Sequence, residues 1–248
     1  MSNTKDLNKR ELRREQMRRK ERGSRLKMIG VVSAVAVIIA FFIIYPNFRP
    51  LGSITTPTFT SRPDVKFNAT GDPNAPVRID EYSDFQCPYC RIFSEDTEAA
   101  LIEQYVVPGQ VYFVYNTFGA YIGPESRSAG EAAFCAGDQE KFWEMHDIIF
   151  ANQNGENTGL FSDRYLTALA ETLKLDMTAF NSCYKGNDYK DLVSQNQVDG
   201  QADGVKTTPS FVLSYLVNGV RQTRLIEGAQ PFATFQTEIE AALVAAGN

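Results

Sequence analysis

The sequence predicts a mixed α/β domain in the order β-α-β, a block of helices, then β-β-α, carried behind a single N-terminal transmembrane helix. Three observations carry this reading. An uncharged apolar run, residues 28–45, follows a dense basic cluster. A strand-like alternation over residues 77–82 leads through a short turn into a helix-compatible stretch that opens on Cys87 and Cys90. Two further strand-like runs meet at Asn218-Gly219, a two-residue pair that favours a tight hairpin, and an amphipathic stretch closes the chain.

Taken in order, residues 1–27 hold eleven Lys/Arg against four Asp/Glu and are net +7, so the remainder of this −5 chain is −12. A domain that acidic is a poor nucleic-acid binder, and no nucleic-acid partner is expected. The run MIGVVSAVAVIIAFFIIY is 18 residues long. At helical rise it reaches roughly 27 Å, just enough to cross a hydrocarbon core. The basic residues before it place residues 1–27 in the cytoplasm and everything beyond the span outside. A cleaved signal peptide is the rival reading; the long basic region and the lack of a small-x-small site after the run disfavour it. Residues 46–76 carry six of the eleven prolines, among Thr, Ser and Asn. Residues 46–70 are therefore read as an extended linker, and 71–248 as the folded domain.

Within that domain, strand 77–82 runs into Cys87-Pro88-Tyr89-Cys90 and a helix to about residue 107, stopped by Pro108-Gly109. Residues 111–115 (VYFVY) form a second, buried strand. Helical segments follow at about 125–137, 139–152, 162–173, 176–184 and 188–202. Strands 210–217 and 221–226 flank the Asn218-Gly219 turn, and a helix runs from 231 to 246. Two cysteines three apart at a helix start suit reversible disulfide chemistry, because the first thiol lies at the positive end of the helix dipole. In a strand-to-helix context this spacing reads as a thioredoxin-like redox motif. The element order is that of a thioredoxin fold with a helical insertion, about residues 118–203. All four cysteines, Cys87, Cys90, Cys135 and Cys183, follow the apolar run, which fits an oxidising compartment. A closed zinc site would need all four, or three with His146 (the only histidine), and the spacing does not suggest one; no metal is expected.

Three separated motifs then coincide in one family's order. They are Gly71-Asp72-Pro73-Asn74-Ala75-Pro76-Val77 with Glu81-Tyr82-Ser83-Asp84-Phe85-Gln86-Cys87-Pro88-Tyr89-Cys90; Ala132-Ala133-Phe134-Cys135 with Lys141-Phe142-Trp143-Glu144-Met145-His146-Asp147; and Gly204-Val205-Lys206-Thr207-Thr208-Pro209-Ser210-Phe211. Over about residues 70–245 the chain resembles the DsbA-like thiol-disulfide oxidoreductases, in their membrane-anchored, BdbD-like branch. The resemblance implies a bacterial, single-pass membrane protein with an extracytoplasmic catalytic domain. It implies an oxidase that passes a Cys87–Cys90 disulfide to exported proteins through a mixed disulfide on Cys87. It also implies reoxidation by a quinone-linked membrane partner of the DsbB or vitamin-K-epoxide-reductase (VKOR) type. No cofactor is implied, and with nothing resembling a dimerisation domain a monomer is expected.

Site expectations follow. A free thiol ionises near about 8.5, and a helix dipole contributes at most about 2 kcal/mol, roughly 1.5 units. A strong oxidant needs more, so the N–H groups of Tyr89 and Cys90 and the Cys90 thiol are the candidate donors to Cys87; Pro88 has no N–H. By resemblance Cys90 is the buried resolving thiol. By resemblance too, Thr208-Pro209 is a cis peptide packed on the motif, exposing the Thr208 backbone to substrate; the pattern alone would read it as an ordinary trans proline opening an edge strand. Glu81, six residues before Cys87, is implied to be a buried carboxylate that relays the proton of Cys90, against a solvent-facing strand residue. Cys135 and Cys183 are read as a structural disulfide closing about a 49-residue loop, with a redox-regulatory pair as the alternative. Phe118, Tyr121 and Phe211, with Tyr89, are expected to line a peptide groove, and His146 to be a packing residue of an aromatic helix. The rival functions are a reductase or isomerase of the same fold, or a non-catalytic chaperone that keeps both disulfides for stability.

Overall fold

The structure is a computed structural model that describes residues 17, 18, 25, 27–42, 45, 51–119 and 121–247. The basic tail falls almost entirely outside the described residues, as do 43–44 of the apolar run and 46–50 of the linker. The chain divides into two units, Met1–Gly52 and Ser53–Asn248. In the first, residues 27–42 form an exposed helix. Among the described residues, no helix is long and apolar enough to cross a membrane.

The second unit is a mixed α/β thioredoxin fold with extra helices. Its strands are β1 (Ala69–Thr70), β2 (Val77–Ser83), β3 (Val111–Thr117), β4 (Ser210–Val217) and β5 (Val220–Glu227). They form one sheet in the order β1-β3-β2-β4-β5. β2 is central: it runs parallel to β3, from Val77↔Val111 to Ser83↔Thr117, and antiparallel to β4, from Val77↔Tyr215 to Tyr82↔Ser210. β5 returns against β4 through Asn218-Gly219, whose φ values of 51° and 78° suit a primed two-residue turn.

Helix α1 (Pro88–Asp96) follows β2, and α2 (Glu98–Leu101) follows a break at Thr97, where φ is −115°. The single helix expected to residue 107 is therefore two pieces. It ends in a π-helical turn, Ile102–Val106, closed by Val107 N–H donating to the Ile102 carbonyl at 2.9 Å. The insertion comprises α3 (Pro124–Gly137), α4 (Phe142–Asn152), α5 (Asp163–Thr172), α6 (Met177–Gly186) and α7 (Lys190–Ala202); α8 (Phe232–Ala246) closes the chain. Cys135 on α3 and Cys183 on α6 are joined by a disulfide.

Aromatic packing fixes the helices on the sheet. Phe93 of α1 lies 4.4 Å, ring centre to ring centre, from Phe211 of β4, and Phe235 of α8 lies 4.8 Å from the same ring. α4 brings Phe142, Trp143, His146 and Phe150 against Tyr115 of β3 and Phe85. Fully burying rings of this size contributes about 1.5–3 kcal/mol each.

The segment read as linker behaves differently from an extended tether once it passes Gly52. Ala69–Thr70 pairs antiparallel with β3, Ala69 opposite Val114. Phe67 stacks on Phe134 at 5.5 Å, and Thr55 donates its N–H to Asn152 at 2.8 Å. Arg62 is buried, with Nη2 2.8 Å from both Glu98 and Asp147 and its guanidinium 4.4 Å from the Trp143 ring centre. Gly71 then turns inward at φ +94°, where a Cβ would sit 2.7 Å from a Val106 methyl and 2.8 Å from the Val111 carbonyl.

Candidate active site

The site grows from the end of β2. Strand pairing stops after Ser83, and Asp84-Phe85-Gln86 turns the chain so that Cys87 is the N-cap of α1, with Pro88 at the first helical position. Proline is suited there, since its missing N–H would be unpaired anyway. Both thiols are free; Cys87 is 5% exposed and Cys90, one turn on, is fully buried. The turn is pinned from the insertion. Gln153, just past α4, donates to the carbonyls of Phe85 and Cys87 at 2.7 and 3.0 Å. Gln86 is buried; it donates to Ser126 Oγ at 2.8 Å and accepts from Asn157 N–H at 2.6 Å.

The two sulfurs sit in opposite environments. A hydrogen bond from the Cys90 thiol is the main cause that lowers Cys87 from 9.0 to about 6; burial opposes it, and Thr208 and the N–H groups of Cys90 and Tyr89 add to it. As a thiol, Cys87 donates to the Thr208 carbonyl at 3.4 Å. Burial, reinforced by the hydrogen bond to Cys87, pushes Cys90 well above the usual thiol range, and Asp84 N–H donates to its sulfur at 3.4 Å.

Thr208-Pro209 is cis and faces Cys87. Glu81 is buried on β2, between Tyr115 and Phe211 in the sheet, and both its carboxylate oxygens lack hydrogen-bond partners among the described residues. Burial, and then the negative charge of Glu98, raise it well above the carboxylate range; Ser83 and Arg62 act the other way. Phe118 and Tyr121 line a cavity of about 360 Å3 with Val205 and Lys206 of the loop before Pro209. Tyr121 and Tyr89 are exposed. Phe211 does not line this cavity: alternate packing on a central strand turns it into the core, fully buried against Phe93 and Phe235. His146 is buried among rings and bonds Asp147 through Nδ1 at 2.8 Å.

Two residues here carried no expectation from the sequence. Asp84 is buried beside the motif; its carboxylate accepts from Gln86 N–H at 2.8 Å and from Ile122 N–H at 3.4 Å, and burial raises it to about 6. Its place inside the quoted motif was the available signal. Gln153 gave none, since a glutamine after a helix is unremarkable in sequence.

Comparison with known proteins agrees with this geometry. Residues 65–241 match the family model described as Thioredoxin. A probable disulfide bond formation protein D of Bacillus cereus is 28% identical over 207 residues, which is 78% of this chain and 90% of that one. A Na(+)/H(+) antiporter NhaA 1 of Salinispora arenicola is 32% identical over 152 residues, 61% of this chain but only 21% of the antiporter. The crystal structure of oxidised BdbD from Bacillus subtilis superposes with a TM-score of 0.62 at 20% identity, covering 75% of this chain and 98% of BdbD. A free cysteine pair of C-x-x-C spacing, held at a helix N-terminus against a cis-proline loop, thus sits in a chain that belongs to the thioredoxin family and is a DsbA- and BdbD-like thiol-disulfide oxidoreductase.

Proposed function

We propose that this enzyme works as an oxidase, donating the Cys87–Cys90 disulfide to thiols of exported proteins. A substrate thiolate attacks Cys87, forming a mixed disulfide and expelling the Cys90 sulfur. A second substrate thiolate then attacks the substrate sulfur and releases Cys87. One S–S bond breaks in the enzyme and one forms in the substrate, and two electrons pass to the enzyme. The reduced pair ends as Cys87 thiolate and Cys90 thiol, with Glu81 supplying the proton that Cys90 takes up.

The observation that carries this reading is the opposed environment of the two sulfurs. At pH 7, a thiolate at about 6 instead of 9.0 lowers the reduced state by about 1.4 kcal/mol, or roughly 30 mV towards a stronger oxidant. Substrate backbone pairs at Thr208 beside Pro209, and Tyr89, Phe118 and Tyr121 form the groove. Cys135–Cys183 serves as a structural bridge. Residues 28–45 anchor the enzyme in the membrane, with the basic tail cytoplasmic, the catalytic domain outside as a monomer, and a quinone-linked DsbB- or VKOR-like partner reoxidising it.

The test is the reduction potential of Cys87–Cys90 in the full chain. A value near about −120 mV supports the oxidase, and a value near about −270 mV turns the reading to a reductase. Trapping is the second arm: Cys90→Ala should accumulate covalent adducts on Cys87 in cells, and their absence would count against substrate oxidation.

A further inference from the structure

Glu81 lies among groups from five elements. Tyr115 of β3 stands beside it in the parallel ladder, and Phe211 of β4 on the other side. Ser83, two residues along the same strand, lies near enough to Glu81 and Cys90 to lower both, though its hydroxyl closes no hydrogen bond among the described residues. Tyr115 is influenced by Glu81, Cys90 and Asp84 together, so these groups form one buried cluster. The remaining charged neighbours of Glu81 are Glu98 of α2 and Arg62 of the packed N-terminal segment.

Glu98 is 1% exposed and is held through one oxygen only. Arg62 Nε and Nη2 donate to Oε1 at 3.2 and 2.8 Å, while Oε2 is buried without a partner. Arg62 cannot swing towards Glu81, because Asp147 accepts from its Nη1 and Nη2 at 3.0 and 2.8 Å and Trp143 stacks on its face. Asp147 is fixed in turn by His146 Nδ1 at 2.8 Å. Arg62 is thus committed to Glu98 and Asp147, and Glu81, whose two oxygens are buried without a partner among the described residues, feels the negative charge of a fixed carboxylate. Two neighbouring carboxyl groups in an apolar interior do not both ionise readily.

We propose that the Arg62–Glu98 ion pair is a positioning device that keeps the proton on Glu81, ready for Cys90. The proposal rests on the reading of Glu81 as the proton donor. In the step it serves, Glu81 COOH loses a proton to the leaving Cys90 thiolate, giving Glu81 carboxylate and Cys90 thiol. The proton released by the second substrate thiol restores the acid. Arg62 and Glu98 touch neither sulfur; they act through Glu81.

The experiment follows the carbonyl stretch of buried carboxylic acid by infrared titration of the full chain, with the pH profile of dithiol oxidation alongside. Wild type should show a protonated-carboxyl band at neutral pH that Glu81→Gln abolishes. Glu98→Gln should shift the midpoint of that band, and the alkaline limb of the rate profile where Glu81 loses its proton, downward by about one unit or more. If Glu98→Gln does not fold, Arg62→Gln/Glu98→Gln removes both charges together; a smaller downward shift is expected, because Arg62 acts against Glu98 at Glu81 and Glu98 outweighs it. A Glu81 band that stays put in the folded Glu98 variant overturns the proposal while leaving Glu81 as donor. A wild type with no band assignable to Glu81 overturns both.

Discussion

Replacing Cys90 with alanine isolates the strongest influence on Cys87. The Cys90 thiol is the largest of the causes that bring the Cys87 thiol from 9.0 to about 6; burial opposes it, and Thr208 and two backbone N–H groups supply the rest. Without the thiol donor, the Cys87 midpoint should rise by about one unit or more, a cost of about 1.4 kcal/mol per unit to the thiolate. At about pH 6.5 the thiolate fraction would fall from roughly three quarters to a quarter or less. The far-ultraviolet absorbance of the thiolate, titrated in wild type and Cys90→Ala, reads the midpoint directly. Cys90 is raised well above its usual range and Cys135 is paired with Cys183, so neither interferes below pH 8. A variant midpoint within half a unit of wild type would refute the argument and assign the thiolate to the helix terminus and its backbone donors.

Three further outcomes are expected. Reduced Cys87 is depressed below its unfolded value, so the unfolded chain binds more protons between about pH 6 and 9 and the stability it contributes is lost as pH falls through 6; the oxidised form has no such group. The reduced-minus-oxidised stability should therefore widen by up to about 1.4 kcal/mol per pH unit across that window, which paired denaturant titrations of the two forms would measure. Arg62→Met leaves Glu98 and Asp147 buried without their cation and should cost about 3–5 kcal/mol by urea unfolding, whereas an exposed ion pair such as Arg91–Glu95 should cost under about 1 kcal/mol when broken. Gly200→Ala would place a Cβ 2.7 Å from the Phe118 ring and 2.8 Å from Tyr82, and should destabilise by about 1–3 kcal/mol with a matching drop in thermal midpoint.

The parts of this enzyme that were legible in its sequence are those governed by neighbours along the chain. Cys87 at a helix start, Pro88 without an N–H, and the N–H groups of Tyr89 and Cys90 as donors all follow from four residues and the geometry of a helix terminus. The Asn218-Gly219 hairpin and the insertion helices came from turn chemistry and periodicity in the same way. What escaped depends on contacts distant in sequence. Arg62 sits in a Pro- and Thr-rich stretch whose composition suits a tether, and only Glu98 and Asp147, far along the chain, make it a core residue. Gln153 reaches back to the Cys87 carbonyl from the end of another helix. Phe211 follows Pro209 closely enough to suggest a groove, yet the strand alternation beyond the proline turns its ring inward. The break at Thr97 lies in a run with no proline or glycine to announce it.

The packing of residues 53–70 separates two definitions of where this domain begins. The match to the family model starts at residue 65. Physical integrity starts at Ser53, and Arg62 falls in the interval. A chain trimmed to the family-model boundary would keep every cysteine, the cis proline and the whole sheet except whatever β1 loses without Pro63, whose carbonyl accepts from Gly71 N–H at 3.0 Å. It would still leave two interior carboxylates stranded. Such a fragment would span the family model and still lack the cation that Glu98 and Asp147 share. The edge of the folded unit is set here by where its buried charges are neutralised, not by where a family model begins.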